Sequence, residues 1–192
     1  MEQSLHTILR ILDPADNSTG GGSASAVAGA MAAALAAMVG RLSIGKPGME
    51  PEDYYRPIIA EGEELSGRLL QGARRDSESF DDVMAAYRMP KTSDQERTAR
   101  QKAVSEAILQ ATEIPLANAV DCRRVVELCN QLRDRSNPNA RSDLQCAFHL
   151  ARAGISGCLD NVAINLPGLK DENQIQRIQL RVEELRRPEQ GK

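Results

Sequence analysis

Gly20-Gly21-Gly22-Ser23-Ala24-Ser25-Ala26-Val27-Ala28-Gly29-Ala30 opens a run that carries no charge until Arg41. Alanine is the best helix former, and the small side chains that follow to Val39 leave every face open to close approach. The run therefore predicts one helix from Ser23 to Val39, with the glycines as the turn that feeds it. A helix apolar all round is either the centre of a bundle or a membrane span. Its length is close to the roughly 20 residues that a bilayer requires. Ala, Gly and Ser add little transfer energy, however, and the rest of the chain is polar with amphipathic spacing. The expectation is a helix at the centre of a bundle, with no membrane partner.

Reading outward, Leu5, Ile8, Leu9 and Leu12 sit at helical spacing and predict a short docking helix over Ser4 to Leu12. The stretch Asp13 to Thr19 collects breakers and cap formers that end it. On the other side, Gly45-Lys46-Pro47-Gly48 is a loop. Ile58, Ile59, Leu65, Leu69, Ala73, Phe80, Val83, Met84 and Tyr87 then mark the apolar stripe of a long helix ending at Met89-Pro90, with Gly62, Gly67 and Gly72 as weak points. Ser93-Asp94-Gln95-Glu96 matches a capping box and starts another helix, which Pro115 is expected to kink or break. Ser142-Asp143-Leu144-Gln145 repeats the capping pattern ahead of Ala147, Phe148, Ala151, Ile155, Leu159 and Val162. Ile175, Ile178, Val182 and Leu185 mark a last amphipathic helix before a polar tail. No segment alternates convincingly, so the fold class is all-α, a helical bundle around the alanine-rich helix, in one domain over residues 1–192.

Composition agrees. The chain has 41% hydrophobic residues but no Trp, three Tyr and two Phe, so small aliphatic side chains must fill the core. A net charge of -3 with both signs interspersed leaves no basic face for nucleic acid. Cys122, Cys129, Cys146 and Cys158 form no C-x-x-C pair and read as buried thiols of a cytoplasmic protein. His6 and His149 have no ligand partner at metal-binding spacing, so no metal is expected.

Glycines ahead of a helix permit positive φ and close backbone approach, and the first-turn N–H groups with the helix dipole favour a negative group. The P-loop lysine is missing and no strand precedes, so a nucleotide site does not fit. A tight turn that lets two helices cross is the competing explanation. With no nucleophile elbow, acid–base chemistry falls to carboxylates and lysine near helix ends. Three places offer them: Asp76 in Arg74-Arg75-Asp76-Ser77-Glu78-Ser79-Phe80, Lys91 after Met89-Pro90, and Asn139 with Asp143 beside Pro138. On local sequence alone each reads more often as structural: a solvated helix-face charge, a surface lysine, and a first-turn carboxylate favoured by the dipole.

Order and spacing change that balance. Gly20-Gly21-Gly22-Ser23 with its Ala-rich helix, Asp76 followed by Phe80 and Val83 to Lys91, Ile114-Pro115-Leu116, Asn137-Pro138-Asn139-Ala140-Arg141-Ser142-Asp143, and Asn161-Val162-Ala163-Ile164-Asn165-Leu166 resemble the cyclodeaminase part of formiminotransferase-cyclodeaminase and the stand-alone methenyltetrahydrofolate cyclohydrolases. The resemblance covers about Leu12 to Asp171. It departs from the family's Thr-Pro-Gly-Gly-Gly-Ser, because Ser18-Thr19 precede the glycines and the proline is absent, which loosens the turn.

The resemblance implies an all-α homodimer, with a tetrahydrofolate derivative bound between helices or at the subunit interface and no tightly bound cofactor. It implies Asp143, or secondarily Asp76, as the group that steadies the amidinium cation and takes a proton from water. Lys91 would protonate the departing nitrogen or pair with a substrate carboxylate. Asn139, Asn161 and Asn165 would orient water or the pterin amide edge, and Gly20, Gly21, Gly22 and Ser23 would dock the anionic glutamate tail. Cyclohydrolase is the expected activity. Cyclodeamination with loss of ammonia is the alternative, and a non-catalytic folate- or partner-binding dimer is the second.

Overall fold

The computed structural model describes residues 2–187, with side chains from Leu5 onward, so the expected polar tail past Arg187 lies outside the described residues. Among the described residues the chain forms α1 (Glu2–Ile11), α2 (Gly21–Ser43), α3 (Glu52–Arg88), α4 (Asp94–Leu132), α5 (Arg141–Asn165) and α6 (Glu172–Arg186), with 3-10 turns at Pro138–Ala140 and Leu166–Gly168. No strand occurs among them, as the lack of alternation predicts.

Helix α2 is the centre. It is long and apolar enough to cross a membrane by length and composition, yet it packs against α3, α4 and α5. Ala26, Ala32, Ala33, Ala36 and Val39 are sealed from solvent. Small residues set how closely the neighbours come. A Cβ on Gly29 would stand 2.3 Å from the Cys122 sulfur of α4, and one on Gly62 of α3 would stand 3.0 Å from the Ala33 carbonyl. Gly62, a weak point in the helical pattern, is therefore where α3 crosses α2. Around this small-residue axis, Leu65 and Leu69 of α3, Val125, Leu128 and Leu132 of α4 and Phe148 and Leu159 of α5 supply the bulk. Each such side chain contributes about 1.5–3 kcal/mol on full burial.

The helix ends follow the sequence signals with instructive exceptions. At α4 the capping box is complete: Ser93 Oγ accepts from the Glu96 N–H at 3.2 Å, and the Glu96 carboxylate accepts from the Ser93 N–H at 2.9 Å. Pro115 neither kinks α4 into two elements nor ends it, since the helix runs unbroken from Asp94 to Leu132. The capping pattern at Ser142 is not used. Helix α5 begins two residues earlier, with Ala140 at its cap position, out of a 3-10 turn in which Asn137 Oδ1 accepts from the Asn139 N–H at 3.0 Å.

Helix α1 also departs from expectation. Its leucine stripe does not dock within the chain: Leu5, Leu9 and Leu12 are 56%, 56% and 72% exposed, while Thr7 faces inward. A polar latch holds the helix end instead. Arg10 Nε donates to Asp16 at 2.7 Å, and its guanidinium also bonds the Ser18 hydroxyl. Cys146 is exposed, against the expectation of four buried thiols, because it falls on the outer face of α5; the other three are buried and none of the four forms a disulfide.

Candidate functional site

The glycine turn meets α3 at Asp76. Ser23, in the first turn of α2, donates its hydroxyl to Asp76 Oδ2 at 2.7 Å. The carboxylate thus sits at the N-terminus of α2, where the helix dipole and first-turn amides favour negative charge. Asp76 is only 9% exposed. Burial pushes its carboxyl above the ordinary aspartate range, and the hydroxyl and backbone N–H of Ser23 oppose that rise without cancelling it. Burial thus favours the protonated form of this carboxyl more than an exposed aspartate's, while Ser23 favours the carboxylate.

Only one glycine of the three is required by this contact. A Cβ on Gly22 would lie 2.7 Å from both Asp76 carboxylate oxygens and 2.7 Å from Asn161 Nδ2, whereas Cβ atoms on Gly20 and Gly21 would meet nothing within 4 Å. Positive φ is not the reason for any of them, because the positive-φ glycines are Gly45 and Gly48. Gly22 lets the helix backbone touch the carboxylate, while Gly20 and Gly21 leave open space above it.

The turn survives the missing proline because a carboxylate replaces its constraint. Asp16 Oδ1 accepts from the Ser18 N–H at 2.8 Å, the Ser18 hydroxyl at 2.7 Å and the Thr19 N–H at 3.1 Å. The Thr19 and Ser77 hydroxyls lie 3.4 Å apart across to α3.

The opposite wall comes from the end of α5. Asn165 Nδ2 donates to the Ala111 carbonyl at 2.8 Å and to Asn161 Oδ1 at 3.3 Å. The first bond exists because of Pro115. Proline has no N–H to return to the carbonyl four residues earlier, so Ala111 keeps a free oxygen, and Asn165 fills it. With its oxygen engaged by Asn165, Asn161 turns its NH2 group toward Gly22 and Asp76. The cleft enclosed is about 360 Å³, lined by Ser18, Gly20, Asp76, Asn161 and Asn165 and by the apolar Phe80, Val83, Ala111 and Ile164.

Of the residues expected from sequence, the structure brings together Gly20, Gly21, Gly22, Ser23, Asp76, Asn161 and Asn165. Lys91 stands apart, in the next cleft along α3 and α4. Asn139 and Asp143 are at the other end of the bundle, where Asn137 donates to Ser43 Oγ at 2.9 Å and to the Leu42 carbonyl at 3.0 Å, beside the C-terminus of α2. Eighteen residues of α5 separate Asp143 from Asn161, about 27 Å at the helical rise. Within one chain, then, Asp143 does not meet Asp76, and the carboxylate ranked second is the one in the cleft.

Phe80, Met84 and Tyr87 continue the helical stripe of α3 but are 45%, 37% and 48% exposed, and Ile164 is 77% exposed. Their period resembles that of the core positions; the signal that distinguishes them is their spacing of four, eight and eleven residues from Asp76. No group of three or more metal-ligating side chains occurs among the described residues.

A bundle that buries one carboxyl at a helix N-terminus, beside an open cleft, is an all-α protein with a candidate acid–base site. The formiminotransferase-cyclodeaminase family model matches residues 4–184, and the chain belongs to that family. It is 38% identical over 170 residues to a methenyltetrahydrofolate cyclohydrolase of Methylorubrum extorquens, covering 88% of this chain and 82% of that protein. It is 33% identical to the formimidoyltransferase-cyclodeaminase of Gallus gallus over 80% of this chain, which spans only 28% of that longer protein. The crystal structure of a formiminotetrahydrofolate cyclodeaminase from Thermotoga maritima superposes with a TM-score of 0.79 at 29% identity, covering 94% of this chain and 85% of that one.

Proposed function

We propose that this chain is a methenyltetrahydrofolate cyclohydrolase that opens 5,10-methenyltetrahydrofolate to 10-formyltetrahydrofolate. The observation that carries the reading is the placement of Asp76, a buried carboxyl with a raised pKa, beneath the open space over Gly20 and Gly21. The substrate carbon lies in a cationic N5=C–N10 amidinium, which attracts the carboxylate form of Asp76 and is attacked by water. Asp76 takes one proton from that water as the C–O bond forms. The C–N5 bond then breaks, the new hydroxyl becomes the formyl oxygen, and N5 leaves with a proton. The NH2 group of Asn161, fixed by Asn165, is aimed at the developing oxygen, and Phe80, Val83 and Ile164 offer an apolar seat for the rings. The 38% identity to a cyclohydrolase over most of both chains supports this choice.

Cyclisation of 5-formiminotetrahydrofolate uses the same carbon. There N10 attacks and ammonia departs, and the Thermotoga maritima relative favours keeping this second reading. Purified protein should speed the loss of methenyl absorbance without releasing ammonia. Ammonia release from the formimino substrate with no effect on the methenyl compound would replace the first reading by the second. Binding without turnover of either would make the chain a folate-binding dimer.

The outer face of α2, Ala24, Ala28, Met31, Ala34, Leu35, Met38 and Leu42, is uncharged and at least partly exposed. We assign it to a second copy. A two-fold axis across the middle of α2 would lay the two helices antiparallel, and because α2 spans about 34 Å, the Asn139 and Asp143 end of one copy would arrive beside the Gly20 end of the other. Such a dimer reunites the two carboxylates that one chain keeps apart. An exposed, unpaired Cys146 suits the reducing cytoplasm, where we place the protein.

A further inference from the structure

The expected dock for the substrate's anionic tail was the N-terminus of α2, but Asp76 occupies it: the hydroxyl of Ser23 is spent on the carboxylate. A tail carboxylate docked on these same first-turn groups would find the Ser23 donor taken and would touch Asp76 directly, like charge against like. The tail must therefore leave the Asp76 cleft. The neighbouring cleft along α3 and α4 carries positive charge. Val83 and Ala111 line the Asp76 cleft. One helical turn on, Tyr87 of α3 and Ile108 of α4 line a second cleft of about 550 Å³, together with Lys91, Arg100, Val104 and Lys170.

The charges there are uncompensated. Arg97, also at this cleft, is paired with Asp94. Among the described residues, no carboxylate pairs with Lys91, Arg100 or Lys170. Arg100 is held in place without being neutralised, donating to the Tyr87 carbonyl at 3.0 and 3.2 Å, with its guanidinium 5.6 Å from the Tyr87 ring centre. Three unneutralised cations around an apolar floor of Val104 and Ile108, in a chain of net charge -3, form a place for a carboxylated ligand.

We infer that this second cleft is the subsite for the carboxylate tail of the substrate, with Lys91, Arg100 and Lys170 as its specificity-determining residues. The inference rests on the folate reading of the Asp76 cleft. From Asp76 to Tyr87 the helix advances about 16 Å, a span that an aminobenzoyl group followed by glutamate covers together with the reach of the lysine and arginine side chains. The reacting carbon then lies at Asp76, the benzoyl ring passes Phe80 and Val83, and the carboxylates reach the cations.

The test compares 5,10-methenyltetrahydrofolate with its pteroate analogue, which has the same reacting rings but no glutamate. Wild-type protein should show a KM roughly tenfold lower for the glutamate-bearing substrate, the size of one good charge-assisted contact. In the Lys170→Gln variant and in the Lys91→Gln/Lys170→Gln pair, the ratio of the two KM values should fall toward one, and high salt should do the same to the wild type. Equal KM values in the wild type, or a ratio unmoved by the double variant, would overturn the tail subsite while leaving the cyclohydrolase reading intact. Should the wild type process neither substrate, that reading fails on its own. Calorimetry with p-aminobenzoylglutamate and p-aminobenzoate then decides the subsite: glutamate-dependent binding that the double variant loses supports an acyl-glutamate site, and no such binding removes it.

Discussion

Ser23 and Asp76 are 53 residues apart in the chain and share a 2.7 Å hydrogen bond that fastens the start of the central helix to α3, the helix that packs on it most extensively. Through it the serine hydroxyl favours the ionised form of the carboxyl that lines the cleft. Burial raises the Asp76 pKa and Ser23 lowers it, so the two effects can be separated by substitution. As general base, Asp76 must be ionised, and the acid limb of the rate profile should lie above the ordinary aspartate range. Asp76→Asn should keep the helical circular dichroism and reduce turnover by about 10²-fold or more. Ser23→Ala removes a stabilising donor from the carboxylate and should move the acid limb to still higher pH. A limb that stays put in Ser23→Ala would show that another group titrates.

The same raised pKa has a consequence for stability with a definite sign. Because the folded state disfavours the ionised carboxyl, this contribution is complete below the ordinary aspartate range and is lost as pH rises through the raised value. Asp76→Asn should flatten that part of the stability curve in denaturant titrations run at several pH values.

Gly22 and Gly21 are neighbours with opposite tolerances. A methyl group on Gly22 would press on Asp76 and Asn161 together, so Gly22→Ala should cost about 1–3 kcal/mol, as overpacking does, and lower turnover at least tenfold. Gly21→Ala meets open space and should leave stability within about 0.5 kcal/mol of the wild type. Thermal melts of both variants decide the matter; equal losses would mean that the turn serves only to pack.

Pro115 should show stability and activity moving apart. Pro115→Ala restores an N–H that can bond the Ala111 carbonyl, taking from Asn165 the acceptor that fixes Asn161. The melting temperature should hold or rise, since proline is a poor interior helix residue, while turnover should fall several-fold. A variant as active as the wild type would show that Asn161 needs no such anchor.

The second-copy arrangement is tested at Met31 and Asp143. Met31→Glu places a charge on the outer face of α2 and should shift the light-scattering mass toward the monomer, with loss of turnover. Asp143→Asn should leave both the dimer and the helical content intact while reducing turnover by about 10²-fold. Near-normal turnover in Asp143→Asn would return that residue to its structural role as a first-turn carboxylate.

By itself the sequence determined that this protein is helical and where most of its helices lie. Those features rest on local causes: the helix propensity of the alanine run, the capping box at Ser93 and Glu96, and the 3.6-residue period. Tertiary structure decided what the same period cannot encode. Phe80 and Leu69 sit on one periodic stripe, yet one rims the cleft and the other is sealed in the core, because burial depends on which helix lies opposite. It decided that Asp76 and not Asp143 stands at the turn, since twenty-odd residues of helix place the two ends of α5 far apart whatever their order in the chain. It also decided the use of Pro115, read in sequence as a break, where the missing N–H frees a carbonyl that a side chain fifty residues later comes to occupy.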